Sequence, residues 1–203
     1  MLITGIMSKP VYVPLAPDTG GRYHVLVGHG VGGEPLLRLI AALEAAGSTR
    51  ASRRLLYVTS TEAPAEAEGA VRAADVASAT VYPDSAALLA DFRDLLEGSL
   101  MGMRLYVAGP EAFMGLVMGL AGQFNLNRDE IRAEECGSRA RRVHCIHCRA
   151  ATEEVVTNIV ACCGCGRWLI VRDHYSRRYA AYMGVMVDAE VPGELPEIRD
   201  VFV

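Results

Sequence analysis

The residues with the most specific chemistry are cysteines, and five of the six lie between Cys145 and Cys165. Two Cys-x-x-Cys turns frame this stretch: Cys145-Ile-His-Cys148 and, thirteen residues later, Cys162-Cys-Gly-Cys165. A two-residue gap lets both thiolates of a turn point at one centre, and two such turns build the tetrahedral four-sulfur site typical of structural Zn2+. The spacing therefore predicts metal ligands at Cys145, Cys148, Cys162 and Cys165. Such a closed site leaves no coordination position for a substrate, and no catalytic residue is predicted in this chain.

Zinc is the preferred ion, while a mononuclear iron, a redox dithiol or metal-free thiols are the alternatives at the same spacing. Cys163 is interpreted as a bystander, because a single residue separates it from Cys165. His144 and His147 could replace a thiol, but four paired cysteines make a histidine ligand unnecessary. Trp168 and Leu169, just after the second turn, are expected to pack beneath the metal.

Two glycine-rich turns are suited to contact a phosphate. The first, His29-Gly-Val-Gly-Gly-Glu-Pro35, follows a short apolar run and precedes a helical pattern, so that backbone amides could approach an anion at a helix start. The second, Ala108-Gly-Pro110, stands in the same kind of position. The candidate nucleotide cradle comprises Gly30, Val31, Gly32, Pro35, Gly109 and Pro110.

The elements that position these turns alternate between short β-branched runs and longer alanine- and leucine-rich segments, the pattern of βαβ units in a parallel sheet. The predicted strands are His24–Gly28, Arg54–Ser60, Ala79–Pro83, Met103–Ala108 and Glu130–Glu134, and the predicted helices are Glu34–Ala46, Glu62–Ala74, Ser85–Gly98 and Glu111–Phe124. We therefore expect an α/β chain: a Rossmann-like parallel sheet of about five strands in residues 1–138, then a zinc-ribbon-like module with an extended tail in residues 139–203.

Composition narrows the function classes. With 51% hydrophobic residues, the chain has the composition of an ordinary globular protein. Its net charge of −4 gives no overall positive potential that would attract a polyanion, so nucleic acid is not an expected partner. No stretch approaches the roughly 20 apolar residues of a membrane span, and no secretory signal is evident. A cytoplasmic location is expected, where clustered cysteines are more often thiols or metal ligands than disulfides.

Residues 1–136 resemble the NAD(P)-binding half of the ferredoxin reductase superfamily, especially the reductases that serve oxygenases. In that family the first turn typically reads Gly-Gly-Ile-Gly-Ile-Thr-Pro, and the second reads Cys-Gly-Pro before a Phe-Met pair. The matching residues here are Gly30, Val31, Gly32, Pro35, Gly109, Pro110, Phe113 and Met114. The resemblance implies a site for a reduced nicotinamide nucleotide at the two turns.

Three departures oppose that site. Glu34 replaces the family threonine, and a carboxylate at a helix start competes with phosphate for the same amides. Ala108 replaces the cysteine that flanks the nicotinamide, and Thr59-Ser-Thr61 stands where an arginine often binds the ribose or its phosphate. We expect NADPH binding to be weak or lost. With neither the Arg-x-Tyr-Ser motif of a flavin barrel nor plant-type iron–sulfur spacing, we do not expect the chain to complete an electron-transfer path alone.

The C-terminal part resembles the C-terminal domain of the small accessory subunit of bacterial dimethylamine monooxygenase. The resemblance is carried by residues 162–165, 171–178, 181–189 and 192–196. It implies a haem-dependent monooxygenase that converts dimethylamine, O2 and NADPH to methylamine and formaldehyde. The chain would assemble or orient the electron-transfer and haem subunits, and flavin, iron–sulfur cluster and haem would reside on those partners.

Two other function classes are weighed against this one. A zinc-ribbon nucleic-acid-binding or regulatory protein would use the arginine-rich stretch from Arg139 to Arg178, but the acidic segment from Asp188 to Asp200 and the net charge count against it. A stand-alone NAD(P)H reductase would need a flavin site, and the missing barrel argues against that class.

Overall fold

The computed structural model describes residues 8–99, 101–191 and 193–203, and its contacts divide the chain into two compact units. One unit is Tyr12–Gly137, and the other is Ser138–Val203 together with residues preceding Tyr12. No helix among the described residues is both long and apolar enough to cross a bilayer.

The larger unit is an α/β fold around a five-stranded parallel sheet, as predicted from the sequence. Its strands are β1 (Tyr23–His29), β2 (Arg53–Val58), β3 (Ser78–Tyr82), β4 (Met103–Gly109) and β5 (Ile131–Glu135), in the order β3-β2-β1-β4-β5. The helices are α1 (Gly33–Ala45), α2 (Ala67–Arg72), α3 (Ser85–Glu97) and α4 (Glu111–Gln123). The helix expected at Glu62–Ala74 is shorter than predicted, because the segment begins with turns around Pro64.

Two apolar layers cover the sheet, because alternate strand residues point to opposite faces. On one face, Leu26, Leu55 and Tyr57 pack with α1 and α2. On the other, Val25, Leu56 and neighbouring strand residues pack with α3 and α4. Both glycine turns consequently lie at the carboxyl ends of the adjacent central strands β1 and β4.

The smaller unit contains a second five-stranded sheet. Its strands are β6 (Arg141–Cys145), β7 (Ala151–Val155), β8 (Ile159–Ala161), β9 (Trp168–Ser176) and β10 (Ala181–Met186), ordered β7-β6-β10-β9-β8. Within this second sheet, β6 and β10 pair in parallel, and the other described pairs are antiparallel. A Cβ on Gly184 of β10 would lie 2.7 Å from Val143 and 2.9 Å from Leu169, so two core side chains meet over this glycine.

The chain's final residues lie on this unit. Val201 N–H donates to Val156 O at 2.9 Å, and Asn158 N–H donates to Arg199 O at 3.0 Å. The buried guanidinium of Arg141 lies 3.8 Å from the ring centroids of both Tyr182 and Phe202. Cation–π contacts and main-chain bonds therefore fix the C-terminal segment to β6 and β7.

Asp18 joins the segment before β1 to the sheet. Its carboxylate accepts hydrogen bonds from Gly20 N–H at 3.0 Å, Arg104 Nε at 3.0 Å and Arg132 Nη2 at 3.2 Å. Burial would raise the pKa of Asp18, but the Gly20 N–H and the two guanidiniums outweigh it and lower the pKa below 3.8.

We expect Asp18→Asn to lower the free energy of unfolding by about 1 kcal/mol at pH 7. Because the pKa of Asp18 is depressed in the folded state, its contribution is complete above pH 3.8 and is lost as pH falls through the folded pKa. Urea titrations across this range would show wild type and variant converging in acid. Asp94→Asn, at an exposed position of α3, is the control; an equal loss there would contradict a specific role for Asp18.

Candidate metal and nucleotide sites

The four predicted ligand cysteines form one cluster. All four Sγ atoms lie within 4.8 Å of one another, with Cys145 Sγ 3.8 Å from Cys165 Sγ and Cys148 Sγ 3.5 Å from Cys162 Sγ. A tetrahedral ion with Zn–S bonds of about 2.3 Å requires sulfurs about 3.8 Å apart, whereas a disulfide requires about 2.05 Å. The spacing fits four ligands around one ion and excludes disulfides within the cluster.

Two similar turns, here called knuckles, position these sulfurs. In the first (residues 145–149), Arg149 N–H donates to Cys145 O at 2.9 Å; in the second (residues 162–166), Gly166 N–H donates to Cys162 O at 3.0 Å. Both donors have left-handed backbone, with φ of 66° at Arg149 and 70° at Gly166. A Cβ on Gly164 would lie 3.0 Å from Cys148 Sγ, so glycine is needed where the knuckles face each other.

Backbone donors in the second knuckle favour thiolates. The Arg167 N–H lowers the pKa of Cys165 to about 6. Burial opposes ionisation of Cys162, but the N–H groups of Cys165 and Gly164 lower its pKa overall. The Ala150 N–H favours the thiolate of Cys148, yet desolvation and the other sulfurs raise its pKa to about 12. A cation at the centre of the cluster would favour the thiolate form of all four cysteines.

The two remaining cysteines, Cys136 and Cys163, and the ring of His144 are not part of the cluster. Cys163 is exposed, and its Sγ donates to Ala151 O at 3.2 Å. The ring of His144 stacks on Tyr179 with centroids 4.0 Å apart. Cys136 lies after β5, where burial and neighbouring glutamates raise its pKa to about 11. Among the described residues, the four-cysteine cluster is the one metal-ligand group found.

The expectation for the two residues after the second knuckle is half correct. Leu169 is fully buried and packs with Cys145 and Cys162 in the core of the smaller unit. Trp168 is 38% exposed, so the expectation that it packs beneath the metal site is wrong. Alternation along β9 turns adjacent side chains to opposite faces, and Leu169 occupies the inner one.

The two glycine turns meet at the carboxyl end of the larger sheet. A Cβ on Gly32 would lie 2.2 Å from Ala108 O, so the first turn rests directly on the end of β4. Gly30 has φ of 56°, and a Cβ there would lie 2.4 Å from Ser60 Oγ. Gly109 has φ of 149°, and a Cβ on it would lie 3.2 Å from His29 Cβ. Neighbouring protein atoms therefore already fill the space that a side chain would need at each of these three glycines.

The remaining cradle residues complete the same surface. Pro35 is buried in the first turn of α1, and Pro110 is the N-cap residue of α4. A Cβ on Gly137 would lie 3.1 Å from Val31 Cγ2 and 3.6 Å from Pro110 Cγ. The structure thus brings the six candidate residues to one edge of the sheet.

Carboxylates surround this edge. Glu34 is exposed in the first turn of α1, and Glu111 is buried in the first turn of α4, where its Oε1 accepts from Tyr12 Oη at 3.3 Å. Glu134 accepts from Leu15 N–H at 2.6 Å and pairs with Arg38 at 2.6 Å. The helices that follow the two glycine turns therefore each carry an acid in the first turn, which does not favour an anion there.

Two parts of this site were not predicted from the sequence. Tyr57 Oη donates to Gly30 O at 2.5 Å, which anchors the first turn to β2. The acid at position 111 lies directly after the Gly-Pro pair, and its position in a first helical turn was the available signal.

Comparison with known proteins agrees with both halves of the sequence interpretation. The family model for the N-terminal domain of dimethylamine monooxygenase subunit DmmA-like proteins matches residues 4–131, and the C-terminal domain model of the same family matches residues 142–185. The chain belongs to the DmmA-like family. Both domains of that family are matched, in the same order as in the sequence interpretation.

A curated relative is the heme-dependent oxidative N-demethylase delta subunit of Ectopseudomonas mendocina (strain ymp). It is 34% identical over 111 residues, which cover 55% of this chain and 63% of the relative. The match therefore spans less than two thirds of the relative's length.

Solved structures similar to the DmmA-like chain include ferredoxin-reductase-type domains. The ferredoxin reductase of carbazole 1,9a-dioxygenase is 17% identical with a TM-score of 0.43, covering 59% of this chain and 34% of that one. The C-terminal domain of a Pyrococcus furiosus hydrogenase is 18% identical with a TM-score of 0.45, covering 63% and 99%. A type IV self-sufficient cytochrome P450 monooxygenase is 20% identical with a TM-score of 0.46, covering 64% and 17%.

Proposed function

We propose that this chain is an accessory subunit of a multicomponent, haem-dependent dimethylamine monooxygenase, and that it is not catalytic alone. The complex would convert dimethylamine, O2 and NADPH to methylamine and formaldehyde. The observation that carries the proposal is the family match over both units in one chain order. The curated relative is named as a subunit of a haem-dependent oxidative N-demethylase, which is chemistry of the same class.

The role assigned to the chain is to assemble or orient the electron-transfer and haem subunits. Haem, flavin and iron–sulfur cluster would belong to those partners. The four-cysteine cluster is a closed donor set with no position for a substrate, which supports a structural rather than a catalytic role for it.

In this proposal Cys145, Cys148, Cys162 and Cys165 hold one structural Zn2+. The ion would neutralise thiolates that backbone N–H groups already favour, and it would fix the two knuckles against each other. A unit of fewer than 80 residues has too small a core for much stability of its own, so this contribution is large relative to the rest. Reduced thiols of this kind fit the proposed cytoplasmic location.

The glycine turns would bind NADPH weakly or not at all. Glu34 places a carboxylate in the first turn of α1, where it would compete with a phosphate for the backbone N–H groups. The Ala108 position supplies no thiol beside a nicotinamide ring. The larger unit would then serve as a rigid scaffold with a reductase-type fold.

Co-purification of the native complex, with metal analysis and spectra of each component, tests this function. We expect this chain to elute with haem- and flavin-bearing subunits, to contain one zinc ion and to have no visible chromophore alone. Calorimetry of the isolated chain should detect no NADPH binding at micromolar concentrations. Elution apart from the other subunits, or a flavin spectrum in the pure chain, would contradict the assignment.

A further inference from the structure

The segment before β1, residues 12–18, passes from one apolar layer of the larger sheet to the other. Tyr12 packs against the layer that contains α3 and α4, whereas Leu15 is buried in the layer that contains α1 and α2. Asp18 N–H then donates to Tyr106 Oη at 3.0 Å. This crossing segment, as we call residues 12–18, is therefore fixed to the sheet at both of its ends.

Glu134 of β5 binds the middle of the crossing segment and, at the same time, a side chain of α1. Its Oε2 accepts a hydrogen bond from Leu15 N–H at 2.6 Å, and both of its oxygens accept from Arg38 Nη2, at 2.6 and 2.9 Å. The Glu134 side chain is 17% exposed and that of Arg38 is 51% exposed, so the contact is shielded on the carboxylate side. One carboxylate thus joins β5, α1 and the crossing segment.

These contacts lie one strand away from the first glycine turn. Glu134 is the partner of Ala108 in the register of β4 and β5, and neighbouring strands are about 4.8 Å apart. The backbone oxygen of Ala108 is the atom against which Gly32 packs. A phosphate bound at the start of α1 would therefore lie close enough to Glu134 for the two negative charges to repel each other.

The charges at this edge are paired so that the carboxylate of Glu34 is not offset. Glu34 and Arg38 are four residues apart on α1, the spacing at which opposite charges on a helix commonly pair. Arg38 pairs with Glu134 instead, and no ion pair of Glu34 is found among the described residues. Glu62 adds a further carboxylate, because its Oε2 would lie 3.4 Å from a Cβ on Gly137. The guanidinium of Arg38 is therefore committed to β5 while acids remain around it.

We propose that Glu134 is an autoinhibitory clasp: by binding Leu15 and Arg38 together, it keeps the start of α1 in a form that rejects the phosphates of a dinucleotide. The inference rests on the proposed function and adds a residue that keeps NADPH binding weak. Without the Glu134 charge, Arg38 is free to pair with Glu34 or with the phosphate itself. In both cases the local charge becomes less negative by one unit, which favours an anion.

The test is a titration of the full chain with NADPH at millimolar concentrations and low ionic strength, followed by ligand-observed NMR. We expect Glu134→Gln to bind NADPH at least tenfold more tightly than wild type, because glutamine keeps an acceptor for Leu15 N–H but loses the charge that holds Arg38. The double variant Glu134→Gln, Arg38→Met has the net charge of wild type and should lose this gain. Glu135→Gln, which removes the same charge at the next, exposed residue of β5, is the matched control and should gain much less.

Melting temperatures show whether each variant is folded. If Glu134→Gln does not fold, Glu134→Asp takes its place, because the shorter side chain cannot reach both Leu15 N–H and Arg38, and a gain in affinity is again expected. Folded clasp variants that bind like wild type would overturn the clasp and leave the proposed accessory role intact. An equal gain in Glu135→Gln, or a gain that survives in the double variant, would overturn it as well. Micromolar NADPH binding by wild type would overturn both the clasp and the weak binding assigned to the glycine turns.

Discussion

In the proposed zinc-bound protein, Cys148→Ser is expected to release the metal and unfold the smaller unit while the larger unit stays folded. Structural zinc contributes on the order of 10 kcal/mol to small domains, and a hydroxyl is a poor replacement for a thiolate. Cys148 is exposed, so the substitution removes little core packing, and the loss is attributable to the ligand. We expect the unfolding free energy of this unit to fall by at least about 3 kcal/mol, enough to unfold it.

The chain offers both a probe and a matched control for this experiment. Trp168 is the single tryptophan and lies next to the second knuckle, so its fluorescence reports the smaller unit. Cys163→Ser changes an equally exposed thiol outside the cluster and should keep one zinc ion and wild-type fluorescence. Metal-free wild-type protein that retains native Trp168 emission would contradict the structural role of the ion.

Gly32→Ala is expected to lower the unfolding free energy of the larger unit by about 3 kcal/mol. The added methyl group would lie 2.2 Å from Ala108 O and 2.5 Å from Ala108 C, and these are backbone atoms of a central strand. They cannot rotate away as a flexible side chain does, so the first turn must move off the end of β4. Far-UV circular dichroism during urea denaturation measures the effect, because α1–α4 lie in this unit.

Gly119→Ala is the control for this substitution. Apart from its chain neighbours and the backbone of its own helix, no described atom would lie within 4 Å of the added Cβ. The residue is inside α4, where alanine is favoured over glycine by about 1 kcal/mol. The control should therefore gain stability. If Gly32→Ala and Gly119→Ala behave alike, the contact between the two glycine turns does not hold the sheet edge together.

The α/β fold was predictable because each of its elements carries a local signal. Asp84 accepts a hydrogen bond from Ala87 N–H at the start of α3, and Gly98 follows the end of that helix, as the sequence indicated. The central strands are near-continuous apolar runs because both faces of a parallel sheet are covered. The four-cysteine cluster was predictable because each Cys-x-x-Cys pair is local in sequence, and the two pairs need only to lie against each other.

The smaller unit was less predictable because its structure depends on contacts between distant residues. The position of Phe202 depends on stacking against Arg141, 61 positions earlier in the sequence, and nothing near either residue indicates the pairing. The paired strands β6 and β10 are likewise far apart in the sequence. The burial of Glu111 likewise depends on a distant contact, because its carboxylate accepts a hydrogen bond from Tyr12, 99 positions earlier in the sequence.

The contact between Gly32 and the end of β4 limits how far the first glycine turn can vary. A side chain at position 32 would meet backbone atoms of Ala108, and one at position 30, where φ is 56°, would meet Ser60. A substitution at either glycine therefore obliges a residue of another element to move with it.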